Sequence, residues 1–135
     1  MALVGILLFV AALLFSVMVH EFGHYFFAKR YGMKVTEFFL GFGKRIWSTQ
    51  RGETEFGVKA IPAGGYCRIE GMTIHDQMPD GEEGRAFVIA STRRKLFVLG
   101  AGSFNHFVLG FVLILIMLAG VGTRSMSTTI QEIVP

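Results

Sequence analysis

Two stretches of this 135-residue chain, residues 1–19 and 96–123, carry no charged side chain. No lysine or arginine precedes Lys29, so the first stretch lacks the basic start of a secretory signal. It also runs on without a small-residue cleavage site. Cys67 is the only cysteine. An internal disulfide is therefore excluded, and Cys67 reads as a reduced, small strand residue. Nothing resembles a phosphate loop, a Ser-His-Asp set, a nucleic-acid motif, an internal repeat or a low-complexity tract.

What is present is oil at both ends and charge between them. Apolar residues make up 52% of the chain, with 14 Phe and 7 Met, which is too oily for an ordinary soluble domain of this length. Each uncharged stretch is long enough to span a bilayer with some tilt. Twelve of the 13 Lys and Arg lie between Lys29 and Lys95, and only Arg124 lies outside. That excess marks the middle segment as cytoplasmic, with both termini on the other side of the membrane. Eight acids dilute the same segment, so lipid headgroups rather than nucleic acid are the expected counter-charge.

The chemistry-bearing stretch is His20-Glu21-Phe22-Gly23-His24, an H-E-x-x-H pattern at the end of the first apolar run. Residues four apart share one helix face, so His20 and His24 can offer two imidazole nitrogens to one zinc ion. Glu21 projects beside them, where a carboxylate can take a proton from an attacking water. Two histidines and a glutamate are costly beside a membrane-length apolar segment unless they have partners, which argues against a chance match. A metzincin would carry Gly and His where Phe27 and Arg30 stand, so that class is excluded.

These patterns predict an α-helical membrane protein. Two transmembrane helices are joined by a cytoplasmic, membrane-associated small β element. The boundaries are 1–28 for the first helix with the zinc motif, 29–95 for the cytoplasmic segment, 96–123 for the second helix and 124–135 for an extracytoplasmic tail. Within the middle segment, 44–49 and 54–60 are expected to pair as an antiparallel hairpin through Gln50-Arg51-Gly52-Glu53. Tyr66 to Glu70 reads as a third short strand. The sheet either merely caps the helices or offers an open edge to an extended substrate. Residues 86–95 are expected to form a short interfacial helix. In the second span Gly102, Asn105, His106 and Gly110 share a face that should meet the first helix, toward which His20 and His24 also turn. Asn105 and His106 are candidate active-site lining, and His106 is one candidate for a weak third ligand.

The chain resembles the site-2 protease family of intramembrane zinc metalloproteases. The resemblance rests on the H-E-x-x-H stretch, on Gly41-Phe42-Gly43-Lys44, on Ile61-Pro62-Ala63-Gly64-Gly65-Tyr66 and on the Gly102 to Asn105 opening of the second span. Order and spacing resemble bacterial members, particularly regulator-of-sigma proteases of actinobacterial type. The resemblance implies Zn2+ on His20 and His24, Glu21 as catalytic general base, and a membrane-reentrant β element. It further implies cleavage of single-pass membrane proteins, anti-sigma factors among them, in the inner (plasma) membrane. Ser103 stands where such proteins usually carry proline. Their third ligand, an Asp of a later span, and a PDZ-like domain starting near Thr128 are expected from a downstream segment. The chain alone is therefore expected to be incomplete for activity. Two non-catalytic alternatives remain open at this point, a metal-free pseudoprotease that binds membrane helices and a membrane adaptor.

Overall fold

The computed structural model describes residues 1–73, 76 and 78–121. The expected tail at 124–135 lies outside the described residues. Two long helices, α1 (Ala2–Arg30) and α2 (Thr92–Val121), flank two strands, β1 (Val35–Arg51) and β2 (Thr54–Ile69). At about 1.5 Å per residue each helix is roughly 43–45 Å long, more than the ~30 Å of a bilayer's hydrocarbon. Both are apolar enough to cross a membrane. Most of their large side chains are covered by nothing among the described residues; Phe9 is 69% and Phe107 79% exposed.

Helix α1 ends where its apolar run meets Lys29 and Arg30, cations that suit a helix carboxyl terminus. The Gly32 N–H donates to the Lys29 carbonyl (3.1 Å) and the Met33 N–H to the Ala28 carbonyl (2.9 Å), with Gly32 at φ +77°. This is a Schellman stop, and glycine is the residue that tolerates it. The chain turns there into β1.

The strands pair antiparallel around the Gly52-Glu53 turn, with Arg51 opposite Thr54, Thr49 opposite Phe56 and Trp47 opposite Val58. They extend well past the short pieces expected from alternation. Glu37 to Leu40 have partners on both sides, Arg68 to Gly65 on one and Glu55 to Val58 on the other. The ribbon therefore folds back on itself at Gly41 (φ +85°). The aromatic run of β1 carries no simple alternation because its amino-terminal half is an interior strand of this folded ribbon. Pro62 is accommodated because it sits at an exposed, irregularly paired position of β2.

A small core joins sheet to helices: Ala28, Met33, Val35, Ile69, Phe87 and Val98 are all buried. Tyr25 of α1 packs against Phe38 and Phe56, with ring centroids 5.5 and 5.4 Å away. The buried Thr54 hydroxyl donates to the Val35 carbonyl (2.7 Å) and holds the turn end of β2 against the start of β1. Glu53, in that turn, accepts Lys29 (2.6 Å) and a two-pronged contact from Arg85 (2.6 Å each). Arg85 lies in a 3-10 turn, Glu83–Arg85, followed by a second, Phe87–Ile89. These turns replace the separate interfacial helix expected over 86–95. Ser91 lies outside any helix and α2 starts at Thr92, so Arg93, Arg94 and Lys95 belong to its first turn.

Candidate metal centre

The helices approach most closely where glycine permits it. A Cβ on Gly23 would lie 2.6 Å from the Ala101 carbonyl oxygen and 3.0 Å from Asn105 Nδ2. A Cβ on Gly102 would lie 2.5 Å from His24 Nε2 and press still closer on His20 Nε2. One glycine on each helix thus opens the crossing, and the second one makes room for both imidazoles. His20, Glu21 and His24 gather there, with one potential ligand atom from each within 4.8 Å of the others. The two imidazole rings are 4.9 Å apart and nearly perpendicular.

The surroundings orient these groups. His24 Nδ1–H donates to the Val98 carbonyl of α2 at 2.7 Å, which leaves Nε2 as the nitrogen with a free lone pair. His20 Nδ1 is buried and has no hydrogen-bond partner among the described residues. Glu21 is half-buried and faces the backbone amide of Cys67 in β2. Burial first, and the Glu21 carboxylate second, push the Cys67 thiol up to about 12, which keeps it protonated and inert.

The residues fit a zinc ion on three counts. His20 and His24 offer two imidazole nitrogens, a donor type zinc favours, with the Glu21 carboxylate beside them. Gly102 preserves space that any side chain would fill. One buried ring nitrogen lacks a partner.

The other candidates fall nearby but play different parts. Asn105 Nδ2–H donates to the Val19 carbonyl at 2.9 Å, tying α2 to α1 at the residue before His20. The His106 ring lies 4.8 Å from that of His20, yet its Nε2 is engaged by the Ser16 carbonyl (3.0 Å) and hydroxyl (3.1 Å). His106 is not a member of the 4.8 Å group. A Cβ on Gly110 would meet nothing within 4 Å among the described residues, so this glycine makes no close helix contact. Three contributors were not singled out from sequence. The Val98 carbonyl and the Cys67 amide are backbone groups with no signature. Ser16 had one available signal, as the lone hydroxyl in an otherwise apolar run.

A family model described as Peptidase family M50 matches residues 8–134. The chain is similar to a protein named zinc metalloprotease Rip1 in Mycobacterium bovis and in Mycobacterium tuberculosis. It is 47% identical to each over 114 residues, 84% of this chain and 28% of the relative. The protein of that name in Mycolicibacterium smegmatis is 45% identical over 115 residues, covering 82% and 28%. The chain thus spans a little over a quarter of the length of these relatives.

Proposed function

The chain belongs to peptidase family M50, and on that premise we propose that it forms the ligand-bearing and proton-transfer half of an intramembrane zinc endopeptidase. The observation that carries this reading is the gathering of His20, Glu21 and His24 within 4.8 Å, against a glycine of the second apolar helix. His20 and His24 hold the ion. A catalytic zinc takes three protein ligands and keeps one open position, and we assign the third ligand to a segment beyond the described residues. When bound, the ion polarises a scissile carbonyl and acidifies water.

The remaining chemistry belongs to residues of this chain. The Glu21 carboxylate accepts the proton of the attacking water and returns it to the leaving amine. Asn105 holds the two helices in register and thereby keeps Glu21 and the histidines in place. Among the described residues, Gly65 to Ile69 of β2 pair with β1 on one side and with no strand on the other. Cys67 of that stretch faces Glu21. A substrate unwound into an extended strand can add along this edge and present its peptide bond beside Glu21. In this reading the substrate class is a single-pass membrane protein, of which anti-sigma factors are one kind.

The uncovered apolar faces of α1 and α2 support a location in the plasma membrane, and the basic middle segment supports a cytoplasmic placement of residues 29–95. The test is cleavage of a tagged single-pass substrate by the full-length protein carrying this segment. Glu21→Gln is expected to retain zinc and lose cleavage by 10²-fold or more, on the order of a general base's contribution. Cleavage at the parental rate by Glu21→Gln, or by protein stripped of metal, would overturn the proposal.

A further inference from the structure

Away from the metal group, a groove runs along the outside of the α1/α2 contact. Phe27, Leu96, Phe97, Gly100, Ala101 and Phe104 line a hollow of about 310 Å³. It adjoins a second hollow of about 340 Å³, bounded by Arg93, Leu96 and Phe97. The two share Leu96 and Phe97, so an apolar trough opens at its upper end onto an arginine. Gly100 forms part of its floor, and a Cβ there would meet nothing within 4 Å.

The charges at the mouth are one-signed. The first turn of α2 holds Arg93, Arg94 and Lys95 and no acid. Lys95 Nζ donates to the Val88 carbonyl at 2.5 Å, and Arg94 lies over the Tyr31 ring at 6.0 Å. Among the described residues no carboxylate pairs with Arg93 or Arg94, whereas neighbouring Lys29, Lys34 and Arg85 are paired to Glu53 or Glu82. The amino-terminal N–H groups of α2 add to the same positive field.

Length decides what fits. From Arg93 to Phe104 is eleven residues of helix, about 16 Å. One leaflet of a ~30 Å hydrocarbon core is about 15 Å deep. The trough therefore begins at the depth of a lipid headgroup and ends near the bilayer midplane. An occupant must be anionic at the arginine end and apolar for one leaflet's depth.

We propose that this trough holds an anionic phospholipid, with its phosphate at Arg93 and one acyl chain along Leu96, Phe97, Gly100 and Phe104. The assignment rests on the membrane placement proposed above but not on the peptidase chemistry. A neighbouring transmembrane helix would also cover the apolar floor, yet it would leave Arg93 without counter-charge.

The experiment is native mass spectrometry of the chain extracted from bacterial membranes in mild detergent, then challenged with phosphatidylglycerol or phosphatidylcholine. Wild type is expected to keep one phosphatidylglycerol and to bind it in preference to phosphatidylcholine. Arg93→Gln is expected to weaken retention about five-fold, the effect of one basic residue at the membrane surface. Gly100→Leu, which fills open space and leaves the helix contact intact, is expected to abolish retention. Gly110→Leu, equally open but remote from Arg93, is the control and is expected to behave as wild type. Equal retention of the two lipids, or unaltered retention by both Arg93→Gln and Gly100→Leu, would overturn the assignment. A chain that fails to fractionate with membranes at all would instead overturn the membrane placement on which it stands.

Discussion

Substituting Gly102 by alanine puts a methyl group where two imidazole nitrogens already lie. The new Cβ would stand 2.5 Å from His24 Nε2 and nearer still to His20 Nε2. Ordinary contact between such atoms is about 3.5 Å, so something must move by roughly 1 Å. The His24 ring cannot swing away without losing its 2.7 Å bond to the Val98 carbonyl. Moving the helices apart instead would break the Gly23–Ala101 approach and the Asn105 bond to the Val19 carbonyl. The displacement must fall on the ligand geometry, where perturbed orientation costs roughly 10–100-fold in metal affinity. Zinc affinity of Gly102→Ala, measured by competition with a chromophoric chelator, is expected to fall by about that factor. Far-UV circular dichroism should be unchanged, since alanine favours helix more than glycine does. Gly110→Ala, with open space around it, is the matched control and should bind like wild type. Wild-type zinc affinity in Gly102→Ala would refute the reasoning that this glycine makes room for the ligands.

Other outcomes follow from the same contacts. Arg85 first, and Lys29 with it, hold the Glu53 carboxyl at about 2 rather than 4.5. A depressed folded value stabilises above the unfolded one, so the contribution is complete above about pH 4.5 and is lost as pH falls toward 2. That depression, at roughly 1.4 kcal/mol for each tenfold change, sets a ceiling of about 3 kcal/mol. The partners are about a third exposed, which reduces this to about 1–2 kcal/mol. Thermal melts of wild type and Glu53→Gln should differ at pH 6 and converge at pH 2, and a constant gap would contradict the assignment. His106→Ala should leave zinc affinity unchanged and cost about 0.6 kcal/mol of helix pairing through the lost Ser16 contact; a fall in zinc content would make His106 a ligand. Cys67, held at about 12, should resist alkylation at pH 8 in the folded chain and react on denaturation. Rapid labelling of the folded chain would mean that the β2 edge does not pack beside Glu21.

The clustering of His20, Glu21 and His24 and the two long apolar helices were legible because their signals are local. The i, i+4 spacing of His20 and His24 needs only helix geometry, and charge depletion needs only counting. The shared face of Gly102, Asn105 and His106 was legible for the same reason. What lay hidden depends on chain folding at a distance. Glu37 to Leu40 became an interior strand because β2 returns on both sides of it, which no local alternation reports. The basic run at 93–95 suggests the end of a short interfacial helix over 86–95 that feeds the second span. The buried Val98 and Phe87 instead pull the helix start back to Thr92. Backbone partners such as the Val98 carbonyl and the Cys67 amide have no side-chain signature. Gly102 was visible as a small residue, but its closeness to both imidazoles emerged only once α2 was laid against α1.

Zinc K-edge X-ray absorption on the purified chain, read beside metal content, tests the central claim most directly. The account predicts bound zinc with two imidazole nitrogens at about 2.0–2.1 Å. It also predicts that His20→Ala or His24→Ala abolishes binding while Glu21→Gln preserves it. Zinc retained in the double variant His20→Ala/His24→Ala, or a shell without imidazole scattering, would contradict it.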